Sequence, residues 1–412
     1  MSIDYDKRTL SADPVLTTAD RVQSMPPLRR ALLAREALIL SSKGSLAFGP
    51  AEARVRKILA LAGVFGMFSI SLALLISRLR AVGVVPPPET LPSTIFVGIG
   101  SLREFQLVEH ISELTRLEPI VIDQRNLEGF SKLLSPRLGA VLRQWFGIMR
   151  EARSILGEPV PVFQKLDLLS TFTIRSHELA YLLAWFKELR VQHPNIRIVC
   201  STADLPAHAA SIAGFLTEYH QHGLLASSLI FPDFSKMAAL TIAEGKYVAE
   251  RVPGLELELK SEPSLVRPMN RTLALAGDYG ATDPEPVSKL VKTALSNGYR
   301  VVVRPHPRGD DRLWSGISEH EDVTFENDGS FEEFLQKWRP SFVASWFSTT
   351  LIDGLMAGAL PITLSVGKTD LVLPLQRIAL QFPKEISQVQ ACMEDVDIRE
   401  RAWNSSYSVV ME

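Results

Sequence analysis

One imidazole lies between two guanidinium groups in the run Arg304-Pro305-His306-Pro307-Arg308. The prolines forbid ladder pairing and fix the exit of the chain, so the run reads as a stiff loop that presents cationic groups. Further on, Ser348, Thr349 and Thr350 stand together just before an apolar helical pattern. Hydroxyls beside the free N–H groups of a helix start make a site for a phosphate oxygen. Upstream, Gly277-Asp278-Tyr279-Gly280 reads as a flexible loop at the carboxyl end of a strand. A different chemistry is suggested by Glu218-Tyr219-His220-Gln221-His222-Gly223, at a strand end or in a loop. There His222, or else His220, is available as a general base held by a sharp turn, with Glu218 to orient or tune it. Metal ligation by the two histidines needs a third ligand that the sequence does not supply, and no metal is expected. Asp395-Val396-Asp397 has the spelling of a metal-binding pair but follows no strand, and reads as a solvated charge cluster.

The elements around these groups read as parallel α/β. Val301 to Val303 is a β-branched run of the kind found in strands buried on both faces. Thr272 to Ala276, Ser341 to Ala344 and Leu360 to Leu364 are further strands, with helices from Val287 to Asn297 and from Ser348 to Ala357. Gly298 and Gly358 stand where helix-ending glycines belong, and Ser330 with Glu333 spells a capping box. This order is a doubly wound half, in which ligands sit beyond the carboxyl ends of the strands. Earlier, Ile95 to Ile99, Pro119 to Ile122 and Ile196 to Cys200 read as strands, with a helix through Leu117 between the first two and helices from 126 to 192 between the last two. Gly98 and Gly100 lack the third glycine of a dinucleotide fingerprint. The prolines of Val84 to Ser93 mark a stiff linker.

The 412 residues suffice for two or three domains. A formal net charge of −2 argues against a dedicated nucleic-acid binder, and two cysteines exclude a disulfide framework. The first 30 residues lack the pattern of a signal peptide. Ile58 to Ser77 carries no charge and is flanked by Arg54, Arg56, Lys57, Arg78 and Arg80. Its length suits a membrane span, Gly63, Gly66, Ser69 and Ser71 suit a buried packing helix, and the basic ends suit a helix lying on anionic lipid. Monotopic or peripheral attachment, rather than a full span, is the expectation.

His306-Pro307 and Ser348-Thr349 resemble the HP and Ser-Ser/Thr motifs of the GT-B glycosyltransferases of bacterial surface polysaccharide synthesis, in particular the CMP-sugar users such as bacterial sialyltransferases. The acidic D/E-D/E-G motif of those enzymes is not spelled in the first domain. His222-Gly223 instead resembles the His-containing segment of CDP-glycerol-type transferases of teichoic acid and capsule synthesis. The resemblance implies two Rossmann-like domains facing a cleft, behind an N-terminal helical and hydrophobic extension. The expected divisions are a helical region at 1–57, a hydrophobic helix at 58–80, an acceptor domain at 94–262, a nucleotide-donor domain at 263–385 and a tail at 386–412. It implies a metal-independent glycosyltransferase without a cofactor, acting at the inner face of the membrane on a nucleotide-sugar donor, CMP-linked first, and a glycan or lipid-linked acceptor. His222 would be the base, and Arg304, His306, Arg308, Ser348, Thr349, Thr350, Gly277 and Gly280 would hold the donor phosphate. A CDP-polyol phosphotransferase, a nucleotide-sugar epimerase and a non-catalytic assembly scaffold are the alternatives.

Overall fold

The computed structural model describes residues 14–41, 50–81, 91, 93–98, 108, 119–123, 127–157, 162–259, 270–278, 281, 283–306, 309, 311–314, 316–318, 320–346, 348–364, 371–373 and 375–412. The expected helix through Leu117, Gly100, Gly280, Pro307, Arg308 and most of the 84–93 linker fall outside them. The chain forms two compact units. One contains the described residues up to His222 together with 227–238 and 248–258; the other contains 223–226, 239–247 and 259–412.

The first unit is built on six parallel strands: β1 (Thr94–Gly98), β2 (Ile120–Asp123), β3 (Arg197–Cys200), β4 (Thr217–His220), β5 (Lys236–Ala239) and β6 (Glu256–Leu259). Their spatial order is β2-β1-β3-β4-β5-β6. The chain steps outward from β1 to β2, then returns past β1 to start β3, so the order reverses between β1 and β3. An N-terminal layer adds helices α1 (Pro14–Gln23), α2 (Pro27–Ser41) and α3 (Pro50–Ala81). Gln23 ties this layer down: its side chain donates to the Phe231 carbonyl at 2.9 Å and accepts from the Phe231 N–H at 2.8 Å. Helices α4 (Leu127–Leu133), α5 (Leu138–Leu156) and α6 (Val162–Gln192) fill the expected helical stretch.

The hydrophobic segment expected as one separate helix, 58–80, is part of α3, and α3 breaks at Gly63, whose φ of 55° is open to glycine without a Cβ penalty. Beyond the break, Gly66, Met67, Ser71 and Leu75 are buried, and Ser71 Oγ accepts from Trp145 Nε1 at 2.9 Å. The packing-helix reading thus holds for one face of this segment.

After α7 (Leu205–Ile212) and α8 (Ile242–Ala249), the second unit carries β7 (Asn270–Ala276), β8 (Arg300–Arg304), β9 (Val323–Phe325), β10 (Pro340–Ser345), β11 (Leu360–Thr363) and β12 (Leu380–Gln381). These strands are parallel in the order β12-β11-β10-β7-β8-β9, the doubly wound arrangement that reverses between β7 and β10. Residues 301–303 and all of β10 are buried, as strands covered on both faces must be. In α9 (Glu285–Ser296), Val287, Leu290, Val291 and Ala294 form the buried stripe at helical spacing. The capping box of α10 (Phe331–Trp338) is present: Ser330 Oγ accepts from the Glu333 N–H at 3.1 Å, and the Glu333 carboxylate accepts from the Ser330 N–H. Next come α11 (Thr350–Met356) and the short α12 (Leu375–Ile378).

Residues 386–412 are not a tail. They form α13 (Ile386–Glu394) and α14 (Val396–Met411), which belong to the core of the second unit. Trp403 Nε1 donates to the Leu355 carbonyl at 3.1 Å. Asp395 is the N-cap of α14, accepting from the Asp397 and Ile398 N–H groups at 2.7 and 3.1 Å. A capping geometry replaces the expected solvated cluster.

Candidate functional site

In the second unit the carboxyl ends of β7, β8 and β10 converge on the reversal of strand order. β7 lies between β8 and β10, so the segments after all three meet there. Gly277 follows β7 and donates its N–H to the Arg304 carbonyl at 2.8 Å. A Cβ at Gly277 would stand 2.5 Å from the His306 nitrogen and 3.2 Å from the Trp314 ring. Only glycine lets the β7 exit lie against the His306 backbone. Ser345 Oγ, at the end of β10, donates to the Ala276 carbonyl at 2.9 Å and clamps β10 to β7. Beyond β10, Ser348 Oγ accepts from the Thr350 N–H at 3.3 Å, and Thr349 is the N-cap residue of α11 with no cap bond from its side chain. Gly354 seats α11 on the sheet, since a Cβ there would come within 2.6 Å of Val343. Gly277, His306, Ser348, Thr349 and Thr350 therefore share the edge where parallel sheets of this order place ligands.

Arg304 does not join them. Its guanidinium donates to the Asp328 carbonyl at 2.8 Å and to the Gly329 carbonyl, and lies 5.7 Å from the centre of the Phe334 ring. It is a brace for the loop before α10, which replaces its expected phosphate role. Arg308 and Gly280 lie outside the described residues.

In the first unit the expected trio divides. Glu218 and His220 are two apart on β4 and share a face, with His220 Nε2 3.8 Å from the Glu218 carboxylate. Arg197 on β3 donates to both Glu218 oxygens, at 2.9 and 2.8 Å. Burial favours the neutral acid, but the His220 ring and the Arg197 fork outweigh it and push the carboxyl down to about 2. On β5, which pairs Lys236 with Glu218, the ammonium bonds Glu258 of β6 at 2.7 Å. Glu218 is thus one rung of a charge ladder across β3 to β6.

His222 stands apart, past the end of β4. Its Nδ1 is 2.6 Å from the carbonyl of Ser201, the residue after β3. A carbonyl only accepts, so Nδ1 carries the proton and Nε2 keeps its lone pair when the ring is neutral. The hold expected from Glu218 and a sharp turn comes instead from Ser201. Gly223 has no positive φ, and nothing lies within 4 Å of a Cβ added there. The contact places His222 at the strand-order reversal of the first sheet.

Two positioning groups escaped sequence reasoning. The Ser201 carbonyl is one, and no side-chain pattern announces it. The other is Glu244, fully buried, which accepts from the Leu225 N–H at 3.0 Å and from Thr241 Oγ1 at 3.1 Å. Leu225 in turn accepts from the Val372 N–H at 2.8 Å, so the segment after His222 is pinned from two sides. The Thr241 and Glu244 pair, three apart at a helix start, was the available signal. Both cysteines are buried, and burial pushes the Cys200 thiol up to about 12. Among the described residues no cluster of three or more His, Cys, Asp or Glu is placed to hold a metal ion.

No family model and no curated protein matches the chain. Among solved structures it is similar to a putative UDP-N-acetylglucosamine 2-epimerase from Listeria monocytogenes, at 12% identity and a TM-score of 0.44, covering 82% of this chain and 88% of that one. The UDP-GlcNAc 2-epimerase from Neisseria meningitidis bound to UDP-GlcNAc gives 10% and 0.44, covering 77% and 98%. Phytolacca americana UGT2 complexed with UDP-2fluoro-glucose and pterostilbene gives 10% and 0.41, covering 77% and 94%. This chain's two parallel sheets of six strands, one in each compact unit, form a two-unit α/β architecture.

Proposed function

We propose that this chain is a glycosyltransferase that takes its sugar from a nucleotide-activated donor. The observation that carries the reading is the meeting of Gly277, His306 and Ser348 to Thr350 at the strand-order reversal of the second sheet. Close backbone approach, an imidazole and hydroxyls at a helix start are what a nucleotide phosphate needs. The oxygen of an acceptor hydroxyl attacks the anomeric carbon, and the bond from that carbon to the phosphate oxygen breaks. The electron pair leaves on the nucleotide phosphate, whose charge is met by His306 and the hydroxyls of Ser348 and Thr349. The acceptor proton passes to Nε2 of His222, whose opposite nitrogen is held by Ser201. The His306-Pro307 and Ser348-Thr349 spellings make a CMP-sugar the first donor to test.

Thermal shift with CMP, CDP, UDP and GDP, on wild type and His306→Ala, tests the donor site. A ligand at a hundred times its dissociation constant adds about 2.7 kcal/mol. Stabilisation by a cytidine nucleotide, lost in the variant, is the expected result. Stabilisation by UDP alone moves the donor to a UDP-sugar, and product formation without acceptor then identifies an epimerase. No shift with any nucleotide overturns the reading in favour of a non-catalytic scaffold.

A further inference from the structure

The first domain carries a surface that the transfer reaction does not use. From Ala62 to Arg80, α3 is long and apolar enough to cross a membrane, yet one face of it is packed into the domain. Its outer face is distinct. At 3.6 residues per turn, Phe65, Ser69, Ala73, Ile76 and Arg80 fall within about 80° of arc. All five are exposed, and Phe65 is 79% exposed.

Helix α5 packs beside α3 and carries an exposed stripe of its own. Phe68 of α3 meets Trp145 of α5 edge to face at 5.9 Å, and Trp145 meets Phe146 at 5.0 Å. Phe146 is 62% exposed. Around it Arg143, Arg150 and Arg153 are exposed within about 80° of arc on the same helix. The lone acidic residue of α5, Glu151, is engaged by Arg29 at 2.7 Å. In a chain whose net charge is −2, this is a concentrated cationic stripe with a phenyl ring at its centre.

We infer that the outer faces of α3 and α5 dock the first domain on an anionic lipid bilayer. Exposed phenyl rings supply apolar insertion at the headgroup boundary, and arginines around them meet lipid phosphates. A second copy of the chain is the less suitable occupant, because it would set the same arginines against one another. The inference does not depend on the transferase reading, and the nucleotide shifts described above are independent of it.

The test uses the full chain with vesicles of phosphatidylcholine alone or mixed with phosphatidylglycerol, at low and high salt. Wild type is expected to sediment with the anionic vesicles and to be released by salt. Each arginine near the surface is worth about five-fold in partitioning, so R143Q/R150Q/R153Q is expected to lose about a hundred-fold. F65S/F146S removes the inserted rings and is expected to weaken binding about a hundred-fold. These side chains are exposed, so the melting temperature is expected to stay unchanged. A second readout needs no loss of binding. The native cysteines are buried, so Ser69→Cys takes an environment-sensitive dye selectively, with exposed Asn327→Cys of the second domain as control. Anionic vesicles should blue-shift the dye at 69 and leave the dye at 327 unmoved. The inference is overturned by wild type that ignores anionic vesicles, by the triple variant binding like wild type, or by an unmoved dye at 69. It is also overturned by a lipid-free dimer that F65S/F146S dissolves.

Discussion

The two domains place candidate groups at the same topological position by opposite means. In the second, the groups follow their own strands: Gly277 after β7, His306 after β8, Ser348 to Thr350 after β10. In the first, His222 follows β4 but is carried back to the end of β3 by one bond to a backbone carbonyl. The second site is therefore written locally, as loop residues directly after buried apolar runs. The first is written by tertiary contact. Local writing makes a site rigid through close packing, and tertiary writing makes it depend on one imidazole tautomer.

The largest effect that this comparison predicts is chemical. His222→Gln should lower transfer by about 10²–10⁴-fold while nucleotide binding stays intact. His220→Gln and Glu218→Gln, which disturb only the charge ladder, should keep the rate within a few-fold. Single-turnover transfer from a radiolabelled donor measures all three. Should His220→Gln be the variant that loses the rate, the Ser201 contact is not what poises the base, and the contrast between the domains fails.

The next effect is steric and belongs to the second domain. Gly277→Ala forces a Cβ against the His306 backbone and should cost about 1–3 kcal/mol, with loss of the nucleotide-dependent thermal shift. Gly223→Ala, next to His222, should cost almost nothing, because its backbone is ordinary and the space is open. Equilibrium urea unfolding of the two variants reads the difference directly. Equal costs would mean that the two sites are held alike.

The same contrast explains what the sequence could say. The strands at 301–303 and 341–344, the Ser330 to Glu333 box and the glycine after α11 were legible, because each is a pattern within a few residues. Gly358 has a φ of 93°, as a helix-ending glycine should. Arg304 misled: a guanidinium next to a histidine looks like a phosphate ligand, and only the fold shows the 328–329 carbonyls within its reach. Glu218 misled in the same way, since its partner Arg197 sits on a neighbouring strand. Residues 386–412 looked polar because each helix there buries a single narrow stripe, with Val389, Cys392, Met393, Trp403 and Val410 at its core. Helix α1 carried no hint that it would cover the first domain, because Gln23 meets its partner 208 residues away.

The smallest effect concerns acid, and it again separates the domains. The first domain buries His208 among Arg30, Arg175, Asp204 and the Ile230 carbonyl. Burial, with the two arginines, holds its pKa down at about 3, and burial with Arg78 holds His177 at about 4. Among the described residues of the second domain, His306 is half-buried and His320 is exposed. A histidine that stays neutral in the fold but charges near 6.5 when unfolded binds more protons unfolded. Its contribution is fully present above pH 6.5 and is lost as pH falls from there toward about 3. Each such group costs about 1.4 kcal/mol per pH unit in that window, or about 1.4 kcal/mol for His208 at about pH 5.5. Calorimetry of the full chain from neutral pH downward should show the transition that includes the first domain moving to lower temperature. His208→Gln, which cannot take a proton, should flatten that slope; an unchanged slope would place the acid sensitivity outside the buried His208 pocket and remove this distinction between the domains.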